Sequence, residues 1–123
     1  MLTWLSVAIG GALGALARYG ISKIPMLQGS AFPWMTLAAN VIGALIIGFV
    51  AGLMLSSPRL TPEQTAFIKT GFCGGLTTFS TFSLETVSLF ETGKWGIACV
   101  YIFISMILCL GGVILGKILG EAY

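Results

Sequence analysis

The chain has no histidine, and charged residues make up only 8% of its 123 positions. A soluble domain carries about 25% charged residues, so this composition cannot furnish a water-exposed surface. Without histidine, clustered carboxylates or a nucleophile spaced beside a base, an enzyme is not expected. The net charge of +2 is small and dispersed, which excludes the basic patch that nucleic acid requires. Cysteine is scarce as well. Cys73, Cys99 and Cys109 are odd in number, fall in apolar stretches and lack C-x-x-C spacing, so neither a disulfide framework nor a thiolate metal site is expected. They read as small apolar packing residues.

What the chain has is apolar: hydrophobic residues are 57% of it, and the mean hydropathy is +1.03. The expected fold class is an all-α membrane protein, a single domain over 1–123 with four transmembrane helices at about 2–24, 33–55, 62–92 and 95–119. Ala15-Leu16-Ala17 resembles a signal-peptide cleavage site. No basic residue precedes the first apolar run, however, and three more spans follow, so that run is taken as retained. Small-residue repeats suit close helix packing: Gly10/Gly14 in the first span, Gly43, Gly48 and Gly52 in the second, Gly112, Gly116 and Gly120 in the fourth. Thr61 is a good N-cap for the third span, with Pro62 at its first position and Glu63 facing the positive end of the helix dipole.

The third span is unusual. Between Gly71 and Thr78 it holds three glycines and two threonines, each a poorer helix former than alanine. A helix break is expected at 74–78. Two readings of it stand. The break can be a packing kink with its carbonyls bonded to hydroxyls, or it can present the carbonyls of Gly74 and Thr77 to a small cation near a two-fold axis. Phe79 and Phe82 follow at i and i+3 on one face. They alternate with Thr78, Ser80, Thr81 and Ser83, a hydroxyl-rich stretch ill suited to face lipid. Ring edges are electropositive, so edges, hydroxyls and the Asn40 amide together would make a weak-field, uncharged anion path. Asn40 in the second span reads either as interhelical glue or as an N–H donor to an anion. Tyr101 and Ser105, at i and i+4, form a hydroxyl track on the fourth span. Arg18 is read as a structural or vestibule anchor, snorkelling to the interface or paired with a carboxylate. Glu85 is assigned a structural ion pair or hydrogen bond before a transport role.

Four spans place Arg59, Lys69 and Lys117 on one side of the membrane and Arg18, Lys23 and Lys94 on the other. That balance leaves the positive-inside rule nothing to act on. Insertion in both orientations, and an antiparallel homodimer with its axis in the membrane plane, are therefore expected.

The run Gly71-Phe72-Cys73-Gly74-Gly75-Leu76-Thr77-Thr78-Phe79-Ser80-Thr81-Phe82-Ser83 resembles the signature of the Fluc (CrcB) fluoride channels. Gly11-Ala12-Leu13-Gly14-Ala15-Leu16-Ala17-Arg18-Tyr19, Asn40 and the four spans extend the similarity over the whole chain. The resemblance implies a dual-topology homodimer with two antiparallel pores that passively exports F⁻ from the cytoplasm across a bacterial inner membrane. It implies that Phe79 and Phe82 contact fluoride by their ring edges, that Asn40 lines the pore, and that Ser80 lies on its hydroxyl side. It further implies Gly74 and Thr77 as carbonyl donors to a central Na⁺, and Tyr101 with Ser105 as the polar track of the fourth helix. A further hydroxyl one turn on is expected in that track, but Cys109 stands there. The alternatives are a small proton-coupled multidrug-type exporter, whose only intramembrane carboxylate would be Glu85, and a non-transporting assembly subunit.

Overall fold

The computed structural model describes residues 1–57 and 59–123; Pro58, in the expected second loop, lies outside the described residues. Among the described residues there is no strand. Helix α1 spans Leu2–Ser22 and ends just short of the expected boundary. Pro25 is the reason, since a residue preceding proline is pushed out of the helical region, and Ile24 is extended (φ −68°, ψ 115°). A 3₁₀ turn at Pro25–Leu27 and a left-handed Gly29 (φ +82°) lead into α2, Trp34–Ser56.

The next helical tract begins as its residues dictate. The Thr61 hydroxyl accepts from the Gln64 N–H while the Gln64 side chain accepts from the Thr61 N–H, closing a capping box over Pro62. The tract runs through α3 (Pro62–Thr65), a widened π-helical stretch (Ala66–Cys73) and a single turn, α4 (Gly74–Leu76). Thr77 and Thr78 are extended, and α5 (Phe79–Glu91) follows. The non-helical residues are thus fewer than the expected 74–78: Gly74 and Gly75 stay helical. Helix α5 ends at a left-handed Gly93 (φ +76°), with the Lys94 N–H bonded to the Leu89 carbonyl and the Gly93 N–H to that of Phe90, a Schellman cap. Helix α6, Trp95–Ala122, completes the chain.

Backbones meet where the sequence offers glycine. α2 and α6 pack along most of their length. A methyl group added at Gly48 or Gly52 would collide with the carbonyl of Val113 or Lys117, and one at Gly116 or Gly120 with that of Leu45 or Phe49. The contact is therefore a reciprocal small-residue seam. A second seam joins α1 to the π stretch and α4. There Gly10 and Gly14 abut the carbonyls of Phe67 and Phe72, and Gly75 abuts that of Gly11. Leu37, Leu89, Ala98 and Tyr101 form a buried cluster between α2, α5 and α6, flanked by Phe32, Phe82 and Phe90.

The outward faces remain apolar. Phe103, Ile107, Ile114 and Leu119 of α6 are all more than half exposed. Each such side chain left in water forgoes about 1.5–3 kcal/mol of burial. Helices α1, α2 and α6 are each long and apolar enough to cross a bilayer, and with the α3–α5 tract they make a multi-pass membrane protein.

Candidate functional site

The site is built around two extended residues whose backbone groups are met by side chains from other helices. The Thr77 N–H and hydroxyl both reach back to the Cys73 carbonyl, at 2.9 and 2.8 Å. In a continuous helix the Thr78 N–H would bond the Gly74 carbonyl. Here it donates to Asn40 Oδ1 (2.8 Å), and Asn40 Nδ2 donates to the Thr78 carbonyl (3.2 Å). The amide of α2 thus pairs with both backbone groups of one residue of the interrupted tract, as a neighbouring strand would. Arg18 closes the other side, its Nε donating to the Gly75 carbonyl at 3.1 Å. The Thr78 hydroxyl caps α5 by accepting from the Thr81 N–H, and it is also hydrogen bonded to Ser80 Oγ, 3.2 Å away. Gly43 makes room for all of this, since a methyl there would strike Thr77 Cγ2.

A cavity of about 390 Å³ opens beside the interruption, lined by Asn40, Thr77, Thr78, Phe79, Phe82 and Ser105 together with Gly74, Lys69, Cys73 and Cys109. The first turn of α5 borders it, so the positive end of that helix dipole faces the space. Phe79 is 77% exposed on the single chain. Its ring lies 5.6 Å from that of Phe82, which in turn sits 5.0 Å from the ring of Tyr101. Ser105 is 6% exposed, and its Oγ has no hydrogen-bond partner among the described residues. An unpaired buried hydroxyl costs about 1–3 kcal/mol. Asn40 spends one of its two N–H donors on Thr78 and keeps the other.

Of the residues singled out from sequence, Asn40, Gly74, Thr77, Phe79, Phe82 and Ser105 come together on this cavity. Four do not. Ser80 is exposed and turned toward the Thr78 hydroxyl. Tyr101 is fully buried, and its hydroxyl donates to Glu85 Oε2 at 2.7 Å. The expected Tyr101–Ser105 track therefore divides: Ser105 lines the cavity, whereas Glu85 takes the Tyr101 hydroxyl. Glu85 accepts a second hydrogen bond on Oε1 from Thr36, at 2.6 Å. Arg18 and Glu85 share a second cavity, of about 360 Å³, with Thr36, Thr78 and Thr81. The one ion pair among the described residues is Lys117–Glu121, at 3.9 Å on the surface of α6, so the carboxylate partner offered for Arg18 is replaced by a backbone carbonyl.

Sequence reasoning missed two participants. Thr36 carried no signal beyond being polar. Lys69 puts a cation at the border of a path expected to be uncharged. It also faces a second hollow toward Met54, Leu60 and Pro62, which places it at the loop end of the cavity. Cys109, noted from sequence as standing where the fourth-helix track would carry a further hydroxyl, lies on the cavity lining with Ser105. Among the described residues no three histidine, cysteine, aspartate or glutamate side chains group as metal ligands.

The sequence model of the family described as CrcB-like protein, Camphor Resistance (CrcB), matches residues 5–117. A protein of Ruminiclostridium cellulolyticum named fluoride-specific ion channel FluC is 43% identical over 98% of this chain and 94% of its own length. Proteins of the same name from Opitutus terrae and Saccharophagus degradans are 44% and 40% identical. They cover 96% and 98% of this chain and 92% and 91% of their own lengths.

Proposed function

This chain belongs to the CrcB family, and from that premise we propose that it is a passive fluoride-selective channel of a bacterial inner membrane, releasing F⁻ from the cytoplasm. It is a transport protein and not an enzyme. The observation that carries the reading is the Ser105 hydroxyl, buried without a hydrogen-bond partner among the described residues, on a cavity also lined by Asn40 and the rings of Phe79 and Phe82. Each group offers a partial positive charge, and none offers a carboxylate. A small anion shedding water there exchanges its hydration for weak donors in series, and weak multi-site binding is what rapid passage needs. Lys69 at the loop end and the first turn of α5 add a positive potential that favours anion entry.

The conducting unit is a dual-topology antiparallel homodimer with two pores. Two features support this reading: Phe79 stands 77% exposed on the single chain, and beyond the neighbouring backbone of its own helix no atom of the described residues lies within 4 Å of a methyl built on Gly74. A partner laid across that face completes the cavity wall. The interruption at Thr77–Thr78 breaks the third membrane span, and its donor set fits a central Na⁺. Thr78 turns its N–H to Asn40 and not to the Gly74 carbonyl, leaving Gly74 and Thr77 to offer hard oxygens to a hard cation. When bound, that ion supplies a fixed positive charge between the two pores.

The test is anion efflux from liposomes containing the purified dimer and loaded with F⁻ or Cl⁻. Rapid F⁻ release without Cl⁻ release, lost in a Phe79→Ile, Phe82→Ile protein, is expected. Fast F⁻ release that survives both substitutions would remove the rings from the path. No release from folded dimer would return the exporter and the assembly subunit to consideration.

A further inference from the structure

We propose that the hollow beside Lys69, at the loop end of the cavity, is a binding site for a phosphate group, and that its occupation slows the passage of F⁻. The site stands on its own residues; its effect on F⁻ rests on the channel reading above. Lys69 lies seven residues past Pro62, about 10 Å along the tract at 1.5 Å per residue. A cation at that depth in a membrane span is costly and calls for a partner. The one ion pair among the described residues is Lys117–Glu121, so no carboxylate answers Lys69. Its flexible stem can carry the ammonium back toward the loop end. There a hollow of about 460 Å³ is lined by Lys69, Thr65 and Thr70, with apolar neighbours that include Met54 and Leu60.

The lining suits a tetrahedral oxyanion. Lys69 offers a charged group with three N–H donors. The Thr65 hydroxyl donates only to a weak acceptor, Met54 Sδ at 3.8 Å, and can turn to an anion oxygen at little cost. Thr70 adds a second, exposed hydroxyl. No acidic residue is among the described residues of the lining. Glu63, the nearest carboxylate along the chain, faces a different hollow with Ser6 and Phe67. A phosphate dianion gains about twice the attraction that a monovalent ion gains from the same ammonium. Lys69 also borders the cavity of Asn40 and Phe79. A phosphate seated on it therefore cancels the positive potential that draws F⁻ in, and sets negative charge at the mouth of the route. Free phosphate and the headgroup of a membrane phospholipid present the same chemistry to Lys69.

The experiment measures F⁻ efflux from phosphatidylcholine liposomes that hold the purified dimer, with inorganic phosphate replacing chloride on both faces at constant pH and ionic strength. Wild type, Lys69→Arg and Lys69→Gln are each compared with their own phosphate-free rate. Phosphate should slow wild type and Lys69→Arg alike, and Lys69→Gln should need about fivefold more phosphate for the same slowing. If Lys69→Gln does not form a dimer, Thr65→Val takes its place, with about threefold more phosphate expected. A second set of liposomes contains phosphatidylglycerol. Wild type already slowed there, with Lys69→Gln spared and added phosphate without further effect, identifies a lipid phosphate as the occupant. Equal sensitivity of wild type and Lys69→Gln, or a wild type indifferent to phosphate and to phosphatidylglycerol, overturns the inference and leaves the channel reading intact. Protein that releases no F⁻ even without phosphate removes the channel reading first. The site is then read by thermal unfolding of the detergent-solubilised dimer, where phosphate should raise the midpoint of wild type and not that of Lys69→Gln. Equal shifts, or none, overturn the site as well.

Discussion

Replacing Asn40 by alanine removes both hydrogen bonds that hold the Thr78 backbone, one of 2.8 Å to its N–H and one of 3.2 Å to its carbonyl. Side-chain hydrogen bonds in membrane proteins average about 0.6 kcal/mol and reach about 1.7, so two lost together amount to about 1–3 kcal/mol. Thr78 is half-buried, and water entering through the adjacent cavity can re-satisfy part of the loss, which favours the lower half of that range. Asn40→Asp separates the two bonds: it keeps an acceptor for the Thr78 N–H but turns a second oxygen toward the Thr78 carbonyl. Unfolding of the purified protein in mixed micelles, followed by tryptophan fluorescence, reads the stability, and F⁻ efflux reads the function. Both variants should be destabilised, with efflux from both falling more steeply than stability because the spare N–H is lost as well. Asn40→Ala as stable as the wild type yet silent in efflux would refute the pairing argument, leaving the amide to serve only the ion. Full efflux from a destabilised Asn40→Ala protein would do the reverse.

The glycine seams make a graded test on one helix. Gly116→Ala must displace backbone at Leu45 and Phe49 and should cost about 1–3 kcal/mol, whereas nothing lies near a methyl at Gly111. Gly111→Ala should be neutral, or stabilising by up to about 1 kcal/mol, in the same unfolding measurement. A Gly111→Ala protein as damaged as Gly116→Ala would contradict the assigned α2–α6 contact. Tyr101→Phe and Thr36→Val each remove one donor to Glu85 and should each lose about 1 kcal/mol, more for a charged acceptor. Because both act on one carboxylate, the double variant should depart from additivity, and strictly additive losses would argue against a shared acceptor.

The amino-acid sequence by itself was sufficient for everything that local chemistry governs. Apolar length specified helices able to cross a bilayer, and Thr61 and Pro62 marked where the third tract starts. The glycine spacing identified the faces where backbones touch, because only a residue without a side chain permits that approach. The interval Gly71–Thr78 was legible as a weak helix, and Asn40, Phe79, Phe82 and Ser105 as polar or aromatic groups needing a use. Which of them meet was decided only by the tertiary structure. Residue 40 pairs with residue 78 because α2 passes the interruption, a long-range contact that no periodicity encodes. The interruption narrows to Thr77 and Thr78 because Asn40 takes the Thr78 N–H, while Gly74 and Gly75 keep helical geometry under Arg18 and the α1 seam. Tyr101 and Ser105 share a helix face by spacing, yet Glu85 claims the tyrosine hydroxyl. Ser105 stays on the cavity wall with no hydrogen-bond partner among the described residues, since a side chain's partner is set by what packs opposite it.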